Sequence, residues 1–139
     1  MFCVGNITRQ AQILIDTTYE CMMAGISTVR PGSRLGDIGY AIQSWSESRG
    51  FSVVREYCGH GIGQILHGPP QILHYGRKHS GIMVQPGMCF TVEPMINVGS
   101  HEVQTLSDGW TVVTKDRRLS AQWEHTIYVG ENGYEILTL

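Results

Sequence analysis

The stretch Phe51-Ser52-Val53-Val54-Arg55-Glu56-Tyr57-Cys58-Gly59-His60-Gly61-Ile62-Gly63 divides the chain into two kinds of pattern. Before it, apolar residues recur at helical spacing. From Ile7 they fall at Ala11, Leu14, Cys21, Met22 and Val29, with Asn6 as the expected N-cap and Pro31-Gly32 as the stop. A second helix is expected from near Ser33, where Leu35, Ile38, Ile42 and Trp45 make one apolar stripe, and Arg49-Gly50 ends it. Trp45 and the pair Met22-Met23 are read as core packing. From Phe51 onward the chain becomes short runs of β-formers divided by Gly, Pro and Asp. Strands are expected at residues 51–57, 71–75, 88–92, 102–106, 110–114, 122–129 and 134–137. Asp108-Gly109 and Asn132-Gly133 supply the backbone freedom of tight hairpin turns. Two helices followed by a meander of strands make an α+β arrangement. Met1–Val4 is a stub, either an edge strand or the tail of a longer one.

The 139 residues, 42% hydrophobic, suffice for one compact core. Ten Lys+Arg against twelve Asp+Glu leave no basic surplus for a phosphate backbone, so no nucleic-acid partner is expected. No run of apolar residues approaches the roughly 20 that span a bilayer. The start of the chain has neither a basic n-region nor an apolar h-region, and a cytoplasmic protein is the default. Cys3, Cys21, Cys58 and Cys89 form no C-x-x-C pair and are expected as reduced core or near-core thiols.

Four of the six histidines, His60, His67, His74 and His79, crowd one stretch. In Gly59-His60-Gly61-Ile62-Gly63 small residues flank an imidazole expected to project from a turn, where a ligand could approach closely. A Gly-rich surface turn with incidental histidines is the plain alternative. His67 is followed by Gly68-Pro69-Pro70, which fixes an extended path. Two carboxylates stand where strands should be apolar: Glu93 in Cys89-Phe90-Thr91-Val92-Glu93-Pro94-Met95, and Glu124 in Gln122-Trp123-Glu124-His125-Thr126-Ile127. Each is either an exposed strand-face residue or a buried carboxylate that needs a cation. One imidazole and two carboxylates form an N/O donor set, suited to Mn, Fe, Co or Zn in a hydrolytic role rather than to structural zinc.

The runs from Phe51 to Gly63, Pro86-Gly87-Met88, Phe90-Thr91-Val92-Glu93-Pro94-Met95, Asp108-Gly109-Trp110-Thr111-Val112 and Leu119-Ser120-Ala121-Gln122-Trp123-Glu124-His125-Thr126-Ile127 occur in an order that resembles the C-terminal part of the type I methionine aminopeptidases. The resemblance covers essentially the whole chain. It implies the pita-bread (creatinase/aminopeptidase) fold in its C-terminal portion, with two helices packed on a curved antiparallel sheet and a single, truncated catalytic domain over residues 1–139. It also implies His60, Glu93 and Glu124 as metal ligands, with Glu124 bridging two divalent ions. His67 would contact the scissile peptide, Glu93 would pass a proton, and Trp110 would line the methionine pocket, although a buried structural Trp fits the sequence equally well. The reaction implied is removal of N-terminal methionine from new polypeptides by a metal-activated water. The partners implied are peptide N-termini, the ribosome and a complementary N-terminal fragment.

Two departures from the family stand out. Leu66 precedes His67 and Gly68-Pro69 follows it, where the family has Phe and a different polar stretch. The family's two aspartate ligands map upstream of Met1, and Asp16, Asp37, Asp108 and Asp116 match neither, so at most one metal is expected to be well held. The competing expectations are a non-catalytic pita-bread binding module and a proline-specific metallopeptidase. Trp123-Glu124-His125-Thr126 disfavours the latter.

Overall fold

The computed structural model describes residues 1–138. Helix α1 spans Arg9–Ile26 and α2 spans Leu35–Glu47. The cap of α1 is Thr8 rather than Asn6: its hydroxyl accepts the Ala11 N–H at 3.2 Å, while Asn6 sits in a bend outside the helix. At the start of α2 the Asp37 carboxylate accepts the Arg34 N–H at 2.9 Å, satisfying a first-turn donor and placing negative charge at the positive end of the helix. The two helices touch at Gly25, where a Cβ would lie 2.6 Å from Ile42 Cγ1.

Leu14, Cys21, Met22 and Ile26 from α1 and Leu35, Ile38 and Ile42 from α2 form one buried cluster with residues of the strands. The expected stripe stops a turn early. Trp45 is 38% exposed, its ring lies 4.2 Å from the Arg49 guanidinium, and its indole N–H donates to Glu20 at 3.3 Å. It acts as a polar-tipped surface aromatic rather than a core residue.

Ten short strands follow: β1 Ser52–Val53, β2 Gly59–Gly61, β3 Gly68–Ile72, β4 Cys89–Val92, β5 Met95–Asn97, β6 Val103–Thr105, β7 Val112–Thr114, β8 Ser120–Gln122, β9 His125–Gly130 and β10 Gly133–Ile136. They form antiparallel sheets in the orders β10-β9-β4-β2-β3, β1-β5-β8 and β6-β7. Both hairpins signalled by the sequence are present, β6–β7 and β9–β10, and Gly109 in the first has φ +70°.

Several strand expectations are corrected. The run 51–57 contracts to two residues, and the run 71–75 moves upstream to Gly68–Ile72. Pro69 and Pro70 are tolerated there because β3 is an edge strand. Met1–Val4 forms no strand, with Phe2 and Val4 94% and 90% exposed. All four cysteines are free, but only Cys21 is buried, and Cys3 is exposed.

The correction that matters most is at residues 122–129, which do not form one strand. β8 ends at Gln122 and β9 begins at His125, while β4 ends at Val92 and β5 begins at Met95. β4 pairs with β9 up to Val92↔His125, and β5 pairs with β8 from Met95↔Gln122. Two long strands therefore run side by side and change sheet together. Glu93-Pro94 and Trp123-Glu124 are the unpaired residues at the joint. Pro94, with no N–H to give the ladder, belongs at such a break.

Candidate metal centre

His60 is carried by a strand, not by the turn expected of its glycine-rich surroundings. Its neighbours are glycines for a steric reason. A Cβ at Gly59 would strike the Thr91 carbonyl on β4, and one at Gly61 would strike the Pro69 carbonyl on β3. The strands on either side thus approach β2 more closely than a side chain permits. Between these contacts the imidazole projects with 17% of its side chain exposed, and Nε2 stands 3.5 Å from Glu93 Oε1. His60 Nδ1 lies 3.2 Å from the Gly61 carbonyl. With the proton on Nδ1 donating to that carbonyl, Nε2 presents its lone pair toward the carboxylate.

Glu93 is fixed on both oxygens. The Thr91 hydroxyl donates to Oε1 at 2.7 Å, and the Gln122 side-chain amide donates to Oε2 at 3.3 Å. Thr91 Oγ1 also accepts the His60 N–H at 3.0 Å, so one buried hydroxyl ties the two candidate ligands together. Burial raises the Glu93 pKa above the usual carboxylate range, and the Glu124 charge pushes it the same way. The Thr91 hydrogen bond and the nearby His60 and His67 pull it down. Glu93 is thus partly buried and held, not the freely exposed strand-face residue of the plain alternative.

The other expected residues are placed unevenly. His67 is exposed, and its ring lies edge-on to that of His60 with centroids 4.5 Å apart. Glu124 stands at the same sheet joint as Glu93 and is exposed to solvent. Among the described residues no three His, Cys, Asp or Glu side chains converge tightly enough to enclose an ion. His60 and Glu93 are the pair the fold brings together. Trp110 is 87% exposed on the β6–β7 hairpin, which disposes of the buried structural Trp. It lines a cavity of about 710 Å³ shared with Tyr57, Cys58, His60, His67 and Glu93. His79 lies elsewhere, 3.6 Å from Asp37 on α2.

The sequence reading assigns no role to Thr91 or Gln122 and counts His74 only as one of the clustered histidines. Thr91 and Gln122 are neighbours of the two carboxylates in their own strands, so alternation carried the signal, but only the pairing shows what they hold. His74 is fully buried with its Nε2 accepting the Glu93 N–H at 3.1 Å.

The donor set fits a divalent cation. A lone-pair nitrogen and a carboxylate oxygen face one another at 3.5 Å with no proton between them in that tautomer, an arrangement a cation satisfies. Among the described residues no helix is long and apolar enough to cross a membrane.

The profile of metallopeptidase family M24 matches residues 1–131. The chain is 58% identical over its whole length to methionine aminopeptidase of Salmonella typhimurium, covering 53% of that protein. It is 56% identical over 99% of its length to methionine aminopeptidase B of a Synechocystis strain, covering 50%. It superposes on the crystal structure of methionine aminopeptidase from Rickettsia prowazekii with TM-score 0.97 and 54% identity, over 99% of this chain and 56% of that one. The prolidase from Pyrococcus horikoshii, at 20% identity and TM-score 0.72 over 99% of this chain and 34% of that one, shares the fold alone. The architecture is the pita-bread fold, and the chain spans about half the length of the relatives it matches. On the match over residues 1–131, the chain belongs to metallopeptidase family M24, whose chemistry calls for a divalent metal.

Proposed function

We propose that this chain forms one side of a methionyl aminopeptidase centre, with His60, Glu93 and Glu124 as metal ligands and His67, Glu93 and Trp110 acting on the substrate. The observation that carries the reading is the opposed pair His60 Nε2 and Glu93 Oε1 on the wall of the 710 Å³ cavity. Its support from outside the chain is the similarity to methionine aminopeptidases at 54–58% identity.

A divalent ion, of which Mn, Fe, Co and Zn all accept this donor set, supplies Lewis-acid activation of water and of the first peptide carbonyl when bound. The protein's own groups do the rest. Glu93, with its proton affinity raised by burial, takes the proton that leaves the attacking water and returns it to the departing amine. Thr91 and Gln122 keep that carboxylate aimed while it does so. His67, exposed and packed against the His60 ring, reaches the cavity and offers an N–H to the substrate carbonyl oxygen as negative charge develops there. Met95, Tyr57 and Trp110 give the cavity an apolar wall that suits an unbranched thioether side chain. A complementary N-terminal segment supplies the rest of the centre.

Release of methionine from a Met-Ala-Ser peptide tests this. The chain is assayed with Mn(II), alone and mixed with the polypeptide corresponding to the other half of the Salmonella relative. Methionine release in the mixture, lost with Glu93→Gln, is the expected result. Metal uptake without release in the mixture points to a non-catalytic binding module and refutes the assignment. Replacing Trp110 by Ala is expected to raise KM in the same assay and to leave the fold unchanged, since the ring is mostly in solvent.

A further inference from the structure

The catalytic reading gives no task to His74, one of four side chains among the described residues with a buried polar atom that lacks a hydrogen-bond partner. His74 lies just beyond β3 and is fully buried, and its Nδ1 has no hydrogen-bond partner among the described residues. Its Nε2 accepts the backbone N–H of Glu93 at 3.1 Å. Because the amide donates, Nε2 must be unprotonated, and the neutral ring carries its proton on the unpartnered Nδ1. A buried donor without a partner costs on the order of 1–3 kcal/mol. An apolar side chain would fill the same space without that cost. What the imidazole does that Leu or Met cannot is accept the Glu93 amide.

The topology explains why that amide needs an acceptor. β3 and β4 both run antiparallel to β2, so they run parallel to each other on its two sides. β2 begins at Gly59, paired with Ile72, where β3 ends; β4 ends at Val92, and beyond these points the chain runs on from both strands with no β2 between them. Leu73-His74 and Glu93-Pro94 therefore face one another across the space beyond the start of β2. The ladder of β4 ends at Val92↔His125, and Pro94 has no N–H. On this strand the Glu93 amide is the donor left at the joint, and the His74 ring bridges to it.

We propose that His74 is a positioning residue for the metal centre: its Nε2 pins the Glu93 backbone, so that the carboxylate held by Thr91 and Gln122 faces His60. The proposal rests on the reading of Glu93 as a ligand. Three hydrogen bonds then fix three atoms of one residue: Thr91 holds Oε1, Gln122 holds Oε2 and His74 holds the main-chain nitrogen. Releasing the last frees the peptide at the sheet joint to rotate and carry the carboxylate off its line to His60 Nε2. Groups that orient ligands from behind in this way are worth roughly 10- to 100-fold in metal affinity.

The test has two arms. In the metal-free, isotopically labelled chain, a nitrogen–nitrogen coupling across the hydrogen bond should join Glu93 N to His74 Nε2, and the Glu93 amide should exchange slowly with solvent. No coupling with a fast-exchanging amide overturns the proposal whether or not metal binds. In the second arm Mn(II) affinity is titrated for the full chain, His74→Leu and His74→Gln. The Leu variant should bind at least about 10-fold more weakly, and the Gln variant, whose Oε1 can accept the same amide, within about threefold of the parent. Where His74→Leu does not fold, His74→Asn, too short to reach, takes its place. Equal affinity in the Leu or Asn variant overturns the positioning role even with the coupling present. If the parent chain binds no Mn(II), it is the ligand reading that fails, and the coupling still decides whether His74 holds Glu93.

Discussion

Replacing Thr91 by Val tests whether the hydroxyl shared by His60 and Glu93 organises the centre. The change is nearly isosteric at a site 1% exposed, so it removes chemistry rather than volume. Two bonds go: the 2.7 Å donation to Glu93 Oε1 and the 3.0 Å acceptance from the His60 N–H. The first is charge-assisted and is worth about 1.5–3 kcal/mol; stranding the His60 amide beside a methyl adds about 1–3. Glu93 keeps 15% of its side chain in solvent and recovers part of its loss, which places the expected cost at about 2–4 kcal/mol. Urea unfolding followed by circular dichroism measures it. Thr91→Ser keeps the hydroxyl and loses a methyl, for about 1 kcal/mol. In a double-mutant cycle, Thr91→Val and Glu93→Gln should couple by about 1 kcal/mol or more. A Thr91→Val protein within about 0.5 kcal/mol of the parent, or a Ser variant as damaged as the Val variant, refutes the shared-hydroxyl argument.

Gly59→Ala places a Cβ against the Thr91 carbonyl and must push β2 away from β4. Thermal or urea unfolding should show a loss of about 1–3 kcal/mol, against a near-neutral Gly63→Ala, whose Cβ would meet open space. Stability should also fall in mild acid. Burial lowers the His74 pKa from 6.5 to about 3, so the unfolded chain takes up a proton there before the folded one does. The contribution is fully present well above pH 6.5 and is lost progressively as pH falls toward 3, with a loss on the order of 1 kcal/mol by pH 5.5. Urea midpoints between pH 7.5 and 5.5 measure it. His74→Leu should flatten that part of the curve, and an unchanged slope would contradict the assignment of the proton to His74.

Local chemistry made much of the fold legible in the sequence. Asp108-Gly109 and Asn132-Gly133 set their hairpins through the backbone alone, and the stripe Leu35, Ile38, Ile42 set the buried face of α2 by periodicity. Trp45 continued that stripe in sequence yet lies beside Glu20 and Arg49, because the partner that decides its environment is on another helix. The same limit hid the break at Trp123-Glu124. Its residues alternate as a good strand does, and only the pairing with Glu93-Pro94 across the sheets shows why the ladder stops. Glu93 and Glu124 were legible as carboxylates where strand interiors should be apolar, and His60 as an imidazole flanked by glycines. Thr91, Gln122 and His74 were not, since a threonine, a glutamine and a histidine in or beside strands carry no mark of what they hold. Where the structure differs most from the sequence reading is thus the joint where the two carboxylates sit.

The central claim is that His60 and Glu93 together hold a divalent ion. Calorimetric titration of Mn(II) into the chain and its His60→Ala and Glu93→Gln variants tests it most directly. The account predicts saturable binding by the parent chain and at least about a 10-fold loss of affinity in each variant, with circular dichroism unchanged. Equal binding by all three proteins, or none by the parent chain, would contradict it.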